Sequence, residues 1–147
     1  MMPASLDLAS LRAAYASGEF TPVQLIDALL PRLRDCAPEI FISRVPDERL
    51  RARARELAAQ DPASLPLYGV PFAIKDNIDL AGLPTTAACE AFAYVPQDNA
   101  HVVQALLDAG AIALGKTNLD QFATGLVGTR SPWGAVRNSF DPAYISG

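Results

Sequence analysis

Apolar residues recur at helical spacing in three stretches of the first sixty residues. Met1–Gly18 is predicted to form an amphipathic helix that ends at its glycine, with apolar positions at Leu6, Leu8, Leu11 and Tyr15. Thr21 followed by Pro22 is typical of a helix start, and the helix that it predicts carries Val23, Leu25, Ile26, Leu29, Leu30 and Leu33. Pro31 should kink or split that helix. A third helix is predicted from Pro46 to about Gln60.

Short apolar runs in the second half of the chain indicate strands. Val70–Ile74 and Ala111–Leu114 are bounded by glycine or proline, which is typical of buried strands. Between them, Asp98–Asp108 is predicted to be a helix with a buried stripe of Val102, Val103, Leu106 and Leu107. A strand, a helix and a strand of these lengths favour a parallel pair with a right-handed crossover. The pattern therefore predicts an α/β fold.

Other stretches connect these elements. Phe41, Ile42 and Val45 suggest a short extended piece, and Ile78–Tyr94 lacks periodicity, which predicts loops and short elements. Residues 61–66 are predicted to be a linker. It ends a helical region, residues 1–66, and leads into a second region, residues 67–147. The helices could pack on the same sheet, so this linker is not assigned as a domain boundary. Because Ile145–Gly147 does not resemble a natural stop, we expect the sequence to be the N-terminal piece of a longer protein.

Composition and charge exclude several classes of protein. Half of the 147 residues are hydrophobic, 19% are charged and the net charge is −4, as in a globular domain without a basic surface for nucleic acid. One histidine, His101, and two separated cysteines, Cys36 and Cys89, are too few for a usual zinc site. The two thiols fit a reducing cytoplasm, and no apolar run reaches the roughly 20 residues of a membrane span.

The candidate chemistry lies at the end of the first predicted strand, where Lys75, Asp76 and Asn77 follow directly. Lys75 could be a surface lysine that forms a weak exposed ion pair with Asp76. Alternatively, the strand could draw its ammonium group into the protein, and desolvation would then lower the lysine pKa enough for a general base. The parallel arrangement would bring Lys75 close to a turn formed by Lys116, Thr117 and Asn118.

Gly110–Thr117 matches the phosphate-loop pattern GxxxxGK[ST]. A phosphate loop follows a strand and begins a helix, and its backbone N–H groups surround a phosphate. Here the middle residues form an apolar strand, and a helix precedes Gly110. We therefore reject nucleotide binding as the main interpretation and keep it as a remote alternative.

Four segments together resemble the amidase signature family. They are Gly69–Asn77 (GVPFAIKDN), Gly82–Thr86 (GLPTT), Gly110–Asn118 (GAIALGKTN) and Arg137–Asp141 (RNSFD), in the family's order and over about half of the chain. The stretch Asn118–Gly134 is most similar to the allophanate hydrolases of that family. The resemblance implies an amidase-signature fold, a mixed sheet core flanked by helices, of which this chain holds the N-terminal part.

The resemblance also implies a catalytic relay and a substrate class. Family members use a nucleophilic serine, a serine in a cis peptide and a lysine, and Lys75 matches the lysine that acts as the base. Both serines should lie beyond Gly147, because Ser131, Ser139 and Ser146 are not at the matching positions. The implied substrate is a small allophanate-like molecule, hydrolysed to carbon dioxide and ammonia in urea or cyanurate nitrogen metabolism without a cofactor or metal. A cytoplasmic homodimer that binds neither nucleic acid nor membrane is expected.

The backbone of Ala123, Thr124, Gly125 and Leu126 resembles the family loop that borders the acyl site. A glycine there allows a small polar substrate to approach the main chain closely. The same residues could equally form a plain turn, because loops also simply connect elements. Two further functions stay open: another amidase, such as the amidase subunit of a tRNA-dependent amidotransferase, or a truncated module without catalytic activity.

Overall fold

A computed structural model describes residues 5–147 as an α/β fold with four helices and three strands. The helices are α1 (Leu8–Ser17), α2 (Pro22–Asp35), α3 (Asp47–Ala58) and α4 (His101–Asp108). The strands are β1 (Phe41–Arg44), β2 (Pro71–Lys75) and β3 (Ile112–Thr117). Single 3-10 turns occur at Pro62–Ser64, Glu90–Phe92 and Gln121–Ala123. The first four residues of the helix that we predicted over Met1–Gly18 lie outside the described residues.

The helix ends follow the local signals in the sequence. The carboxylate of Asp7 accepts a hydrogen bond from the backbone N–H of Ser10 at the start of α1, and Gly18 ends that helix in a left-handed conformation (φ 70°). Thr21 and Gln24 form a reciprocal capping box at the start of α2. Helix α2 runs through Pro31, so the proline does not split it.

The three strands form one mixed sheet in the order β1-β3-β2. Strands β1 and β3 are antiparallel, with Ser43 opposite Lys116 and an irregularity between Phe41 and Ser43. Ile112 N–H donates to the Val70 carbonyl (2.9 Å), and further along the chain Asp76 N–H donates to the Thr117 carbonyl (3.1 Å). Both partners of the second bond follow those of the first in sequence, so β2 and β3 run parallel, as predicted.

The chain forms two compact units, each built from separate segments. The first contains residues up to Cys36, Val45–Phe72 and Gln104–Leu114. Its core is apolar, with Leu11, Leu25, Ile26, Leu30, Leu50, Leu57 and Ile112 all at most 2% exposed. Tyr15 stacks edge-to-face on Phe20 and Tyr68, and its hydroxyl donates to the Gly69 carbonyl (3.0 Å). Burial raises the pKa of the Tyr15 phenol.

The second unit contains Ala37–Arg44, Ala73–Val103 and Gly115–Gly147. Loops dominate it, and they surround a buried set of polar side chains: Asp76, Thr85, Thr86, Lys116 and Asp120. Such groups are stable inside a protein only when their hydrogen bonds are made within it. The second unit thus buries polar side chains beside apolar ones such as Ile74, Leu80 and Leu119.

Three details of the sequence prediction are wrong. Lys116 and Thr117 belong to β3 and do not form a turn, because the strand continues three residues past Leu114. Val102 is 54% exposed, so among the predicted stripe of α4 only Val103 is fully buried. Leu6 and Leu8 are also exposed, and α1 buries Leu11, Ala14 and Tyr15 instead. Within residues 5–147, no helix combines the length and the apolar character needed to cross a bilayer.

Candidate active site

The end of β2 places two consecutive charged side chains in opposite environments. Lys75 is the last residue of the strand and is exposed, whereas the following residue, Asp76, is completely buried. Side chains alternate between the two faces along an extended chain. The structure therefore contains neither arrangement that the sequence left open: Lys75 forms no ion pair with Asp76, and its side chain is exposed and not drawn into residues 5–147.

Asp76 pairs instead with Lys116 of β3. The Asp76 Oδ1 atom lies 3.1 Å from Lys116 Nζ, and both side chains are fully buried. Lys116 also donates to the Thr85 hydroxyl (2.9 Å) and to the Pro84 carbonyl (3.1 Å). An ammonium group has three donors; two of the N–H bonds of Lys116 have these acceptors, while Asp76 Oδ1 lies at ion-pair distance but accepts no hydrogen bond within residues 5–147. Contacts with Asp76, Pro84 and Thr85 thus hold the Lys116 side chain in the interior of the second unit.

The polar network continues from Thr85 towards the surface. The Thr85 hydroxyl donates to Asp79 Oδ1 (2.7 Å), and the Tyr94 hydroxyl donates to the same oxygen (2.8 Å). The hydrogen bond to Asp79 raises the pKa of Tyr94. Thr85 and Tyr94 are also joined by two backbone hydrogen bonds. The segment after β2 is thereby fixed to the buried lysine.

A second branch leads from Asp76 to the segment Thr86–Ala88. Asp76 Oδ2 accepts hydrogen bonds from both the backbone N–H (2.9 Å) and the hydroxyl of Thr86. Ala87 and Ala88 adopt left-handed conformations, with φ of 49° and 58°. This conformation is uncommon for residues other than glycine. Such residues persist only where surrounding contacts hold them, and here Ala87 N–H donates to the Asp76 carbonyl (3.1 Å).

The Ala87–Ala88 segment in turn holds the start of the loop that we predicted to bind substrate. Phe122 N–H donates to the Ala87 carbonyl (2.9 Å), and the Gln121 side-chain amide donates to the Ala88 carbonyl (2.9 Å). Ala123, Thr124 and Leu126 are exposed, and Gly125 is half-buried. Lys75 and the loop Ala123–Leu126 are therefore connected through one hydrogen-bonded frame that runs by way of Asp76 and Ala87.

Asp120, three residues before Ala123, is the second buried carboxylate that the structure describes in this unit. Its oxygens accept backbone hydrogen bonds from Arg130 (2.7 Å), Gly128 (3.0 Å) and Val127 (3.1 Å). The N–H groups of Arg130 and Gly128 lower the pKa of this carboxyl group most strongly. Asp120 thus closes residues 120–130 into a single loop.

The phosphate-loop pattern at Gly110–Thr117 has a different structural basis. Its last six residues are strand β3, and its lysine, Lys116, is buried in the ion pair with Asp76. A phosphate-binding lysine must reach a ligand, which this one does not. Gly115 lies where a Cβ atom would be 2.6 Å from the Ser43 carbonyl oxygen. Gly115 allows the close approach of β1 to β3, and Lys116 fills a buried position, so neither residue is placed to bind a phosphate.

Sequence reasoning proposed Lys75 and the loop 123–126 as site residues, and it did not predict the buried positions of Lys116 and Asp120. The signal for Lys116 was present, because a lysine in an apolar strand needs an anionic partner and Asp76 ends the neighbouring strand. Asp120 had no comparable signal, since its partners are backbone N–H groups that any sequence contains.

The chain is similar to known proteins in both sequence and structure. The urea amidolyase of Saccharomyces cerevisiae is 48% identical over 135 residues, which are 90% of this chain and 7% of that protein. A glutamyl-tRNA(Gln) amidotransferase subunit from Chloroflexus aurantiacus is 40% identical over 147 residues, 97% of this chain and 30% of that protein. The structure of Kluyveromyces lactis allophanate hydrolase superposes with a TM-score of 0.82 and 44% identity, over 96% of this chain and 24% of the other.

The chain thus spans less than a third of the length of each of these three relatives. The sequence profile described as Amidase matches residues 24–147, which include β1–β3, the buried network and the loop after Asp120. The chain belongs to the amidase signature family.

Proposed function

We propose that this chain supplies the catalytic lysine and part of the substrate site of an amide hydrolase that acts on allophanate. The observation that carries the proposal is the contrast between the two lysines at the ends of β2 and β3. Lys116 is buried and bound to a carboxylate, whereas Lys75 is exposed and forms no ion pair with any residue in 5–147. A lysine must lose its proton to act as a base, and a carboxylate partner opposes that loss.

Lys75 would act as the terminal proton acceptor of a serine relay. A serine hydroxyl is a weak nucleophile until a base takes its proton. In the proposed reaction a serine in a cis peptide passes the proton from the nucleophilic serine to neutral Lys75. The nucleophile attacks the amide carbonyl, Lys75 returns the proton through the same serine to the leaving amine, and water then hydrolyses the acyl ester. We assign neither serine to residues 1–147.

The loop Ala123–Leu126 would border the acyl group of the substrate. Its support is the connection to Lys75 through the frame of Asp76 and Ala87, which holds both features in one unit. Allophanate is small and carries a carboxylate. Backbone N–H groups in a loop are suitable donors for such a group.

The sequence identities to the relatives favour allophanate over other amides as the substrate. In alignments that cover at least 90% of this chain, the urea amidolyase and the allophanate hydrolase share more identity with it than the Chloroflexus aurantiacus amidotransferase subunit does. The amidase subunit of a tRNA-dependent amidotransferase is the second candidate, supported by 40% identity over the chain. A catalytically inactive truncated module and a nucleotide-binding protein are remote alternatives. The buried state of Lys116 argues against the second of these.

The product of the complete natural reading frame that encodes this chain, here called the natural protein, provides the test. Purified natural protein should release ammonia from allophanate faster than from glutamine, acetamide or a peptide amide. Glutamine as the preferred substrate would select the amidotransferase function instead. Release of ammonia from none of these amides would contradict the proposal. Light scattering on the same sample tests the homodimer, and fractionation of the source cells tests the cytoplasmic location.

A further inference from the structure

We propose that Asp120 is a positioning residue that sets the conformation of the loop Ala123–Leu126 for substrate binding. The inference rests on the proposed function, because it assigns that loop to the substrate site. It adds a residue to which neither the sequence pattern nor the relay assigns a role. Asp120 does not reach the substrate itself, and acts through the main chain of the loop.

The first argument is the burial and hydrogen bonding of the carboxylate. Asp120 is 4% exposed, yet no cation pairs with it among the residues that the structure describes. Three backbone N–H groups take the place of a cation: Oδ2 accepts from Val127 and Gly128, and Oδ1 accepts from Arg130. Hydrogen bonds to an ionised acceptor are about twice as strong as neutral ones. The carboxylate therefore fixes the residues that directly follow the loop, 127–130.

The second argument is the close approach of Gly125 to the same carboxylate. A Cβ atom at position 125 would overlap both Oδ2 and Cγ of Asp120. Gly125 does not have a positive φ, so the glycine is needed for space and not for its backbone angles. The middle of the loop thus lies directly against Asp120.

The third argument is the strained entry to the loop. Phe122 and Ala123 have φ of 53° and 55°, which residues with a side chain rarely adopt. Ala123 N–H donates to the Asp120 carbonyl (2.7 Å), and Phe122 N–H donates to Ala87. Strained backbone at a loop held by outside contacts is typical of functional sites. Asp120 holds the entry through its main chain and the exit through its side chain.

Two backbone N–H groups in the middle of the loop are therefore free to bind a ligand. Among residues 5–147, the N–H groups of Gly125 and Leu126 donate to no acceptor, while those of Val127 and Gly128 are taken by Asp120. Two adjacent free donors suit a carbonyl or carboxylate oxygen of a small amide substrate. Loss of the hydrogen bonds to Asp120 would disorder these two N–H groups and would leave Lys75 unchanged.

The test compares Asp120→Asn with the unchanged natural protein. An asparagine replaces one oxygen by an NH2 group that faces backbone donors, so at least one hydrogen bond is lost. We expect amide exchange of Val127, Gly128 and Arg130 to accelerate by about 10-fold or more. We expect kcat/KM for allophanate to fall by about 10²-fold, mainly through KM, as for a misplaced binding group. Asp61→Asn is the matched control, because Asp61 is exposed and accepts one backbone N–H, from Ala63 (2.9 Å).

Gly125→Ala provides a second route that does not remove a buried charge. Its Cβ should displace the loop and raise KM, and this effect should shrink in the Asp120→Ala background, where the overlapping atoms are absent. A purely structural role for Asp120 would lower the melting temperature of the variant but leave the KM of its folded fraction unchanged, which would overturn the inference. Equal effects of Gly125→Ala in both backgrounds would also overturn it.

The experiment separates this inference from the proposed function. If the unchanged natural protein hydrolyses no amide, the proposed function fails and the catalytic part of the inference fails with it. In that case the exchange data show only that Asp120 holds the loop. If the protein hydrolyses allophanate and Asp120→Asn retains the same KM and the same exchange rates, the inference alone is wrong.

Discussion

Asp76 and Lys116 form an ion pair that is completely shielded from solvent, with Oδ1 and Nζ 3.1 Å apart. The two residues lie at the ends of neighbouring strands, and each makes further hydrogen bonds, Asp76 to Thr86 and Lys116 to Thr85 and Pro84. A buried ion pair is tolerated when its two groups are well oriented and additional hydrogen bonds offset the cost of removing them from water. The pair fixes the end of β2 and leaves Lys75 on the opposite, exposed side.

Replacing Asp76 by asparagine should destabilise the fold. The ammonium group of Lys116 would lose its counter-charge in a buried site, and breaking one side of such a pair costs about 3–5 kcal/mol. Urea unfolding followed by circular dichroism measures the loss for the 147-residue chain. Asp76→Leu combined with Lys116→Met should recover much of it, because the double variant leaves no unpaired charge. A midpoint for Asp76→Asn equal to that of the unchanged chain would show that the pair does not stabilise the second unit.

The local parts of this fold could be predicted because their causes are local in sequence. The Thr21–Pro22 start of α2 and the Gly18 end of α1 depend on residues within one turn of the helix. Strand β2 was predicted from its apolar run and its flanking glycine. Of the two expected effects of Pro31, a kink or a split, the split is wrong, because packing of the helix on its neighbours can override a local penalty.

The contacts that build the site join residues far apart in the chain. Lys116 is predicted to lie in a turn because the apolar run ends at Leu114, so the sequence does not show that this lysine lies in a strand and needs Asp76, forty residues earlier, as its buried partner. Asp120 was missed because its partners are main-chain groups brought close by the fold of the loop. The resemblance of four motifs includes the segments of both lysines, but only the structure distinguishes the exposed Lys75 from the buried Lys116.

Gly115→Ala should weaken the pairing of β1 with β3. A Cβ atom at position 115 would lie 2.6 Å from the Ser43 carbonyl oxygen and 2.9 Å from the Arg44 Cα atom, both in the backbone of β1. Overpacking of this kind typically costs about 1–3 kcal/mol, measurable as a lower unfolding midpoint. Ser43→Ala is the control on the same strand. The buried Ser43 Oγ has no hydrogen-bond partner within residues 5–147, so its removal should not destabilise. If Gly115→Ala left the midpoint unchanged, the close approach of the strands would not require a glycine.

The stability of α1 should depend on pH through Asp7. Hydrogen bonds from the Ser5 hydroxyl, and next from the Ser10 backbone N–H, lower the pKa of Asp7 from 3.8 to about 2. A carboxyl group with a lowered pKa stabilises the fold fully above its unfolded pKa, near 4, and loses that contribution as pH falls towards 2. Ser5→Ala should shift the Asp7 pKa back towards 3.8 in an NMR titration of the carboxyl carbon. An unchanged titration in that variant would mean that Ser5 is not the main cause.

The purified 147-residue chain should hydrolyse neither allophanate nor other amides. The relay requires a nucleophilic serine, and Ser131, Ser139 and Ser146 do not match the positions at which the family carries its serines. The measurement is ammonia release over many hours, with the natural protein as the positive control. Turnover by the isolated chain that a serine-directed inhibitor abolishes would refute both this prediction and our assignment of the serines.

The final prediction concerns Lys75 in the natural protein. Lys75→Ala should leave the fold intact, because the side chain is exposed, makes no ion pair within residues 5–147 and contributes little packing. The chemical step should nevertheless slow by about 10²–10⁴-fold, the usual contribution of one positioned acid–base group. Lys75→Arg should not restore it, since guanidinium does not lose its proton near neutral pH.

Comparison with Asp76→Asn separates the two roles at the end of β2. Asp76→Asn should lower stability while the enzyme that remains folded keeps most of its kcat, whereas Lys75→Ala should lower kcat without a change in the unfolding midpoint. Ammonia release from allophanate and circular dichroism on the same samples give both quantities. Activity retained in Lys75→Arg, or a kcat that falls further in folded Asp76→Asn than in Lys75→Ala, would show that Lys75 is not the base. The exposed end of β2 would then only support the buried pair beside it.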